Sequence, residues 1–113
     1  MEDGQQQLCR CLERVPKLRR SMMAAGKARE NARLLRLMAH PTRLQILKLL
    51  SEGELCVCVL CRLLGRSQSN VSQHLSKLRD NGLIDGWQRG KFVYYRLRNK
   101  RVGAAVRELQ RLI

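Results

Sequence analysis

The chain has 113 residues, 44% of them hydrophobic and only 4% aromatic, and 23 Lys and Arg against 9 acids give a net charge of +14. That length suits one small domain, and no apolar run approaches the roughly 18 residues that a membrane-spanning helix needs. The charge argues against a basic partner and for a polyanion, with nucleic acid first among them.

The opening stretch, MEDGQQQLCRCLERV, carries acids and glutamines where a signal peptide carries basic residues, and no long apolar segment follows. The expectation is a soluble, cytoplasmic protein. Residues 1–26 read as a polar, basic arm, flexible or partly helical. Leu8, Leu12 and Val15 keep an i, i+4, i+7 spacing there, while Pro16 and Gly26 interrupt any long helix.

From Lys27 the helical pattern firms up, and residues 27–113 read as one DNA-binding and dimerisation domain. KARENARLLRLMAH places Leu34, Leu37 and Met38 on one stripe, which His40-Pro41 ends because Pro disfavours helix in the residue before it. Pro41 suits the first turn of the next helix, PTRLQILKLL, with Leu44, Ile46, Leu47 and Leu50 inward and Gly53 at the exit. A short helix, CVLCRLL, follows and stops at Gly65.

Ser67 is an expected N-cap for SQSNVSQHLSKLRDNG, whose Val71, Leu75 and Leu78 fall at i, i+4, i+7 and whose end is Asn81-Gly82. The opposite face holds Gln68, Ser69, Ser72, Gln73, Ser76 and Lys77, with no acid before Asp80, which suits a surface pressed against an anion. LIDGWQRGKFVYYRLR then turns to strand-like content in two runs, about 83–88 and 92–98, around a tight turn at Arg89-Gly90. NKRVGAAVRELQRLI closes the chain as an amphipathic helix with Val102, Ala105, Val106, Leu109, Leu112 and Ile113 on its apolar side. This order specifies a mostly α fold with a small β-hairpin, the winged helix-turn-helix.

In that fold the polar-faced helix enters the major groove. Gln68, Ser69, Ser72, Gln73 and His74 have the reach and donor–acceptor chemistry for base edges. Arg66, Lys77, Arg79, Arg89 and Lys91 suit phosphates, which set register without reading sequence. His74, beside Leu75, is equally readable as a packing residue.

Five cysteines in a chain expected to meet a reducing cytosol point to metal or redox chemistry rather than to disulfides. Three of them, Cys56, Cys58 and Cys61, lie in GELCVCVLC. On one helix Cys58 and Cys61 share a face and Cys56 and Cys58 do not. Convergence therefore requires Cys56 in an extended segment with Cys58 at the helix N-terminus, where the helix dipole favours thiolate. Three clustered thiolates favour a three-coordinate soft acceptor such as As(III) or Sb(III). If Cys9 and Cys11 of the arm join Cys56 and Cys58, four thiolates suit Cd(II), Pb(II) or Zn(II) instead.

AHPTRLQILKLL, ELCVC, SQSNVSQHLSKLRDNGLI and GKFVYYRL, together spanning about Ala32 to Leu97, resemble the ArsR/SmtB family of metal-sensing winged-helix repressors. The resemblance implies a homodimer paired through helices at about 28–38 and 102–113, bound to operator DNA when free of inducer and released when inducer binds. Cys56 and Cys58 match that family's ligand box, Cys61 matches the third thiol of its arsenic-sensing branch, and Cys9 and Cys11 resemble the N-terminal pair of its cadmium/lead-sensing branch. The position after the box, commonly Asp in the family, is Val59 here. The preferred reading is a repressor released by As(III) or Sb(III) at Cys56, Cys58 and Cys61. The alternatives are a Cd(II)/Pb(II)/Zn(II) sensor using Cys9 and Cys11, a thiol redox-sensing repressor, and a zinc-stapled RNA-binding module. No nucleophile–base pair, phosphate-cradling glycine loop or carboxylate cluster supports an enzyme.

Overall fold

The computed structural model describes residues 9–113, so Leu8 of the expected N-terminal stripe lies outside the described residues. The chain forms two compact units that divide between Arg33 and Leu34. In the first, a 3-10 turn at Arg10–Arg14 runs into helix α1 (Val15–Ser21), and neither buries a residue. The helical break falls after α1, at residues 22–24. Pro16 and Gly26 interrupt nothing: Pro16 sits in the first turn of α1, and Gly26 is the second residue of α2 (Ala25–Met38). Backbone N–H groups have no intrahelical partner in a first turn, so a proline is harmless there.

The second unit takes Leu37 and Met38 from the end of α2 into its core. His40 is extended, and its Nδ1 accepts from the Thr42 N–H at 3.1 Å, capping α3 (Pro41–Leu50) with Pro41 in the first turn. Helix α3 buries Ile46 and Leu47 completely. A two-residue strand, β1 (Leu55–Cys56), leads into α4 (Val57–Leu64). Gly65 closes α4 in the left-handed conformation at φ 64°, which an L side chain rarely adopts. Only Arg66 and Ser67 then separate α4 from α5 (Gln68–Asp80), whose N-terminus the Ser67 hydroxyl caps by accepting from the Asn70 N–H at 3.1 Å. Val71, Leu75 and Leu78 are fully buried at the spacing read from the sequence.

Strands β2 (Ile84–Arg89) and β3 (Phe92–Leu97) form the expected hairpin, with Gly90 at φ 65° in the turn. The wing nevertheless has three strands rather than two, because β1 pairs antiparallel with β3 to give the order β1-β3-β2. A two-residue strand is too short to show periodicity. The pairing puts Cys56 opposite Tyr94 and Tyr94 opposite Trp87, one row across the sheet.

Helix α6 (Lys100–Gln110) is capped by Asn99, whose side-chain oxygen accepts from the Arg101 N–H at 2.8 Å. Its buried residues are Gly103 and Val106. Ala105 and Leu109, expected on the buried stripe, are exposed, and Leu112 and Ile113 lie beyond the helix. Gly103 enters the core instead because the helix approaches Ser51 too closely for any side chain: a Cβ there would stand 2.8 Å from the Ser51 Cβ.

Candidate functional site

Two arrays meet on the second unit: a polar helix face with a basic wing, and a cluster of thiols. On α5, Gln68, Ser69, Gln73 and Lys77 are exposed, Ser72 is half-buried, and Arg66 stands exposed just before the helix. No acid lies in the first turn of α5, so its positive dipole end and Arg66 present one electropositive surface.

His74 faces inward in part. Arg43 Nε donates to its Nδ1 at 3.2 Å, Arg43 Nη1 donates to the Leu37 carbonyl at 3.0 Å, and the His40 ring lies 4.4 Å away. Burial, reinforced by the charges of His40, Arg43 and Arg66, pushes His74 below its ordinary value. A neutral imidazole accepting at Nδ1 ties α5 to α3 and has one nitrogen left for other partners. Arg43 escaped the sequence reading, since a lone arginine on an amphipathic helix looks like a solvated charge.

The exposed face of the wing is a ladder of cations and rings. Trp87 and Tyr94 stack with centroids 6.1 Å apart at 20°. The Arg96 guanidinium sits 5.1 Å from the Trp87 ring and that of Arg89 sits 5.0 Å from Tyr94, both within cation–π range. Arg89 also pairs with Glu54 at 3.7 Å. Of the two cations expected at the tip, Lys91 is exposed and Arg89 is held by a carboxylate. Trp87, Tyr94, Arg96 and Glu54 were missed. The signal available was the alternation 87, 89 on one strand and 94, 96 on the next, which shares one sheet face.

The thiols meet the geometric condition set by their spacing. Cys56 ends β1 with extended backbone and serves as the N-cap of α4, while Cys58 is the second residue of that helix. The Cys58 N–H donates to Cys56 Sγ at 3.4 Å, and the two sulfurs lie 2.6 Å apart as free thiols. Hydrogen bonding from the Cys58 thiol pushes Cys56 below the ordinary thiol value, and donating that bond pushes Cys58 up. Cys56 is thus the readier thiolate of the pair. Cys61 stands one turn further along α4, partly buried. It is not gathered with the pair: among the described residues, no three His, Cys, Asp or Glu side chains are close enough to hold an ion.

All three cysteines nevertheless line one cleft of about 440 Å³, whose other walls include Gln68 at the start of α5 and Lys91 at the wing tip. The donor set is soft and entirely sulfur, which fits thiophilic ions and not oxygen-seeking ones. Cys9 and Cys11 repeat the local geometry in the first unit: Cys9 is extended, caps the 3-10 turn and accepts from the Cys11 N–H at 3.3 Å. That bond pushes the Cys9 thiol down. Both of its cysteines are exposed.

Residues 40–85, from the cap of α3 to the start of the wing, match the model of the arsR family of bacterial regulatory proteins. The arsenical resistance operon repressor of Escherichia coli is 52% identical over 65 residues, which cover 57% of this chain and 56% of that protein. A transcriptional repressor SmtB homolog of Synechocystis is 34% identical over 98 residues, 87% of this chain and 74% of that one. Among solved structures, HlyU from Vibrio cholerae aligns with a TM-score of 0.71 at 40% identity, covering 80% of this chain and 97% of that chain. The chain therefore spans little more than half the length of the arsenical repressor and most of the length of the other two.

Proposed function

This chain belongs to the ArsR family of bacterial regulatory proteins, and we propose that it is an operator-binding repressor released when As(III) or Sb(III) binds Cys56, Cys58 and Cys61. Its relatives and structural neighbours are transcriptional regulators, not enzymes, and its fold is the winged helix-turn-helix. The observation that carries the proposal is the shared cleft, in which three thiols stand in one wall and Gln68 and Lys91 in the others. Arsenic supplies a trivalent centre that exchanges oxygen for sulfur, and the three cysteines would hold it.

In the reading proposed here, Gln68, Ser69, Ser72, Gln73 and the free side of His74 face bases, while Arg66, Lys77, Arg89 and Lys91 face phosphates. Bringing Cys61 to the Cys56–Cys58 pair requires the first turn of α4 to change shape, and α4 packs directly against α5. A ligand that needs this change has unequal affinity for the DNA-ready and altered shapes. That inequality is the requirement for coupling, typically about 1–3 kcal/mol or roughly 5- to 150-fold in DNA affinity.

Residues 27–113 would act as the DNA-binding and dimerisation domain and 1–26 as the arm. Homodimerisation through the helices at about 28–38 and 102–113 is supported by the exposed Leu35 and Leu109 that those helices carry. No helix among the described residues is long and apolar enough to cross a membrane, which is consistent with action in the cytoplasm.

The test is anisotropy of labelled promoter DNA with the reduced protein, titrated separately with As(III), Cd(II) and Zn(II), and repeated with Cys9→Ser/Cys11→Ser. Release by As(III) that survives the double substitution supports the three-thiol reading. Release by Cd(II) alone, abolished by the substitution, assigns the site to the alternative that uses the arm.

A further inference from the structure

The first unit carries positive charge that its own acids do not balance. Between Cys9 and Ser21 the only acid is Glu13, against five cations, Arg10, Arg14, Lys17, Arg19 and Arg20. All five are exposed, and none enters an ion pair among the described residues. In the second unit, by contrast, Lys48, Arg79, Arg89, Arg96, Arg98 and Arg111 each face a carboxylate within 4.0 Å.

The charge is also sorted by side. Val15, Leu18 and Met22 line one groove of α1, with Arg19 among them. Arg14, Lys17 and Arg20 recur every third residue on the other side, and Arg10 precedes Arg14 by four. Like charges at this spacing repel one another, a cost that an apposed polyanion removes. From Arg14 to Arg20 a helix rises about 9 Å at 1.5 Å per residue. Duplex DNA presents about five phosphates over that length, at one charge per 1.7 Å of axis.

We infer that Arg10, Arg14, Lys17 and Arg20 form a phosphate-binding strip that grips duplex DNA beside the operator without reading its sequence. The inference rests on the operator binding proposed above and widens the protein's contact with DNA beyond α5 and the wing. An anionic bilayer is the other polyanion such a helix could meet, through its apolar groove as well as its cations. That groove offers three side chains, and even a single myristoyl chain anchors a protein only marginally and reversibly. DNA demands less of the strip. Once α5 holds the operator, the arm of the same chain meets the neighbouring phosphates at an effective concentration on the order of millimolar, so weak contacts suffice.

The probes are two promoter duplexes, one trimmed to the protected core and one extended on each side by about ten base pairs, one helical turn, of scrambled sequence. Affinity of the reduced full chain is measured over a salt series. The wild type is expected to show a steeper slope of log K against log salt on the long duplex, by about 0.9 for each phosphate neutralised, or about 3–4 for each arm engaged. Arg10→Gln/Arg14→Gln/Lys17→Gln/Arg20→Gln should lose that excess and bind the long duplex about tenfold or more weakly, while staying within about threefold of wild type on the core. Arg10→Lys/Arg14→Lys/Arg20→Lys keeps the charge and should keep the slope. Equal wild-type slopes on the two duplexes overturn the inference, as does a lysine variant that behaves like the glutamine one. So does wild type that sediments with phosphatidylglycerol vesicles through the same four cations and shows no excess slope, which assigns the arm to a membrane. If wild type binds neither duplex, operator binding itself falls and the strip falls with it.

Discussion

Replacing Gly103 by alanine pits two well-defined effects against each other. Gly103 lies inside α6, and alanine in a helix interior is favoured over glycine by about 1 kcal/mol. The added methyl would meet the Ser51 Cβ at 2.8 Å, the Leu97 Cδ1 at 2.9 Å and the Ser51 Cα at 3.4 Å. Leu97 can rotate its terminal methyl aside, but the Ser51 contacts are backbone or one bond from it, and Ser51 Oγ is anchored on the Lys48 carbonyl at 2.5 Å. Overpacking of this kind costs about 1–3 kcal/mol, so the net expectation is a loss of about 1 kcal/mol. Gly26→Ala, in the first turn of α2 with nothing within 4 Å, meets no such clash, so propensity alone makes it neutral to stabilising, by up to about 1 kcal/mol. Urea unfolding against wild type should show a lowered midpoint for Gly103→Ala and an unchanged or raised one for Gly26→Ala. A raised midpoint for Gly103→Ala would refute the close approach of α6 to Ser51.

Three further outcomes are expected. Ser67→Ala removes the cap of α5 and should lower stability by about 1 kcal/mol in urea unfolding, with promoter affinity falling in the same variant; unchanged affinity would detach this helix from DNA binding. Because the folded-state value of His74 is depressed, the unfolded chain takes up that proton first. The contribution is therefore fully present above the unfolded value of about 6.5 and is lost as pH falls from there through the folded value. Urea midpoints at pH 7 and pH 5 should show a smaller acid loss in His74→Gln, and an identical loss would remove His74 as its source. Lys91→Gln should reduce the slope of log K against log salt by about 0.9 for each phosphate contact removed; an unchanged slope would place Lys91 off the DNA.

The central helices α3 and α5 were legible because each carries a start signal and an apolar stripe that agree. For α5, the Ser67 cap and the Val71–Leu75–Leu78 stripe together define both its start and its buried side, and Gly65 and Gly82 punctuate it with positive φ. The local condition for bringing Cys56 and Cys58 together was also legible, since helical geometry forbids that contact unless Cys56 is extended, and it is. What escaped depends on contacts distant in sequence. Strand β1 exists only because β3 offers it an edge, and nothing in Leu55–Cys56 by itself asks for pairing. Gly103 is buried because Ser51 crowds it, a fact no hydrophobic pattern encodes. Arg89 read only as a phosphate contact and Arg43 was missed because their partners, Glu54 and His74, lie 35 and 31 residues away along the chain.

In the function proposed here, the Cys56–Cys58 pair governs release from DNA. Its most direct test is the affinity of the reduced full chain for its promoter with and without saturating arsenite, comparing wild type with Cys56→Ser/Cys58→Ser. Arsenite is expected to weaken wild-type binding by roughly 5- to 150-fold, while the variant binds DNA with near-normal affinity and does not respond. A variant released by arsenite as readily as wild type would contradict it.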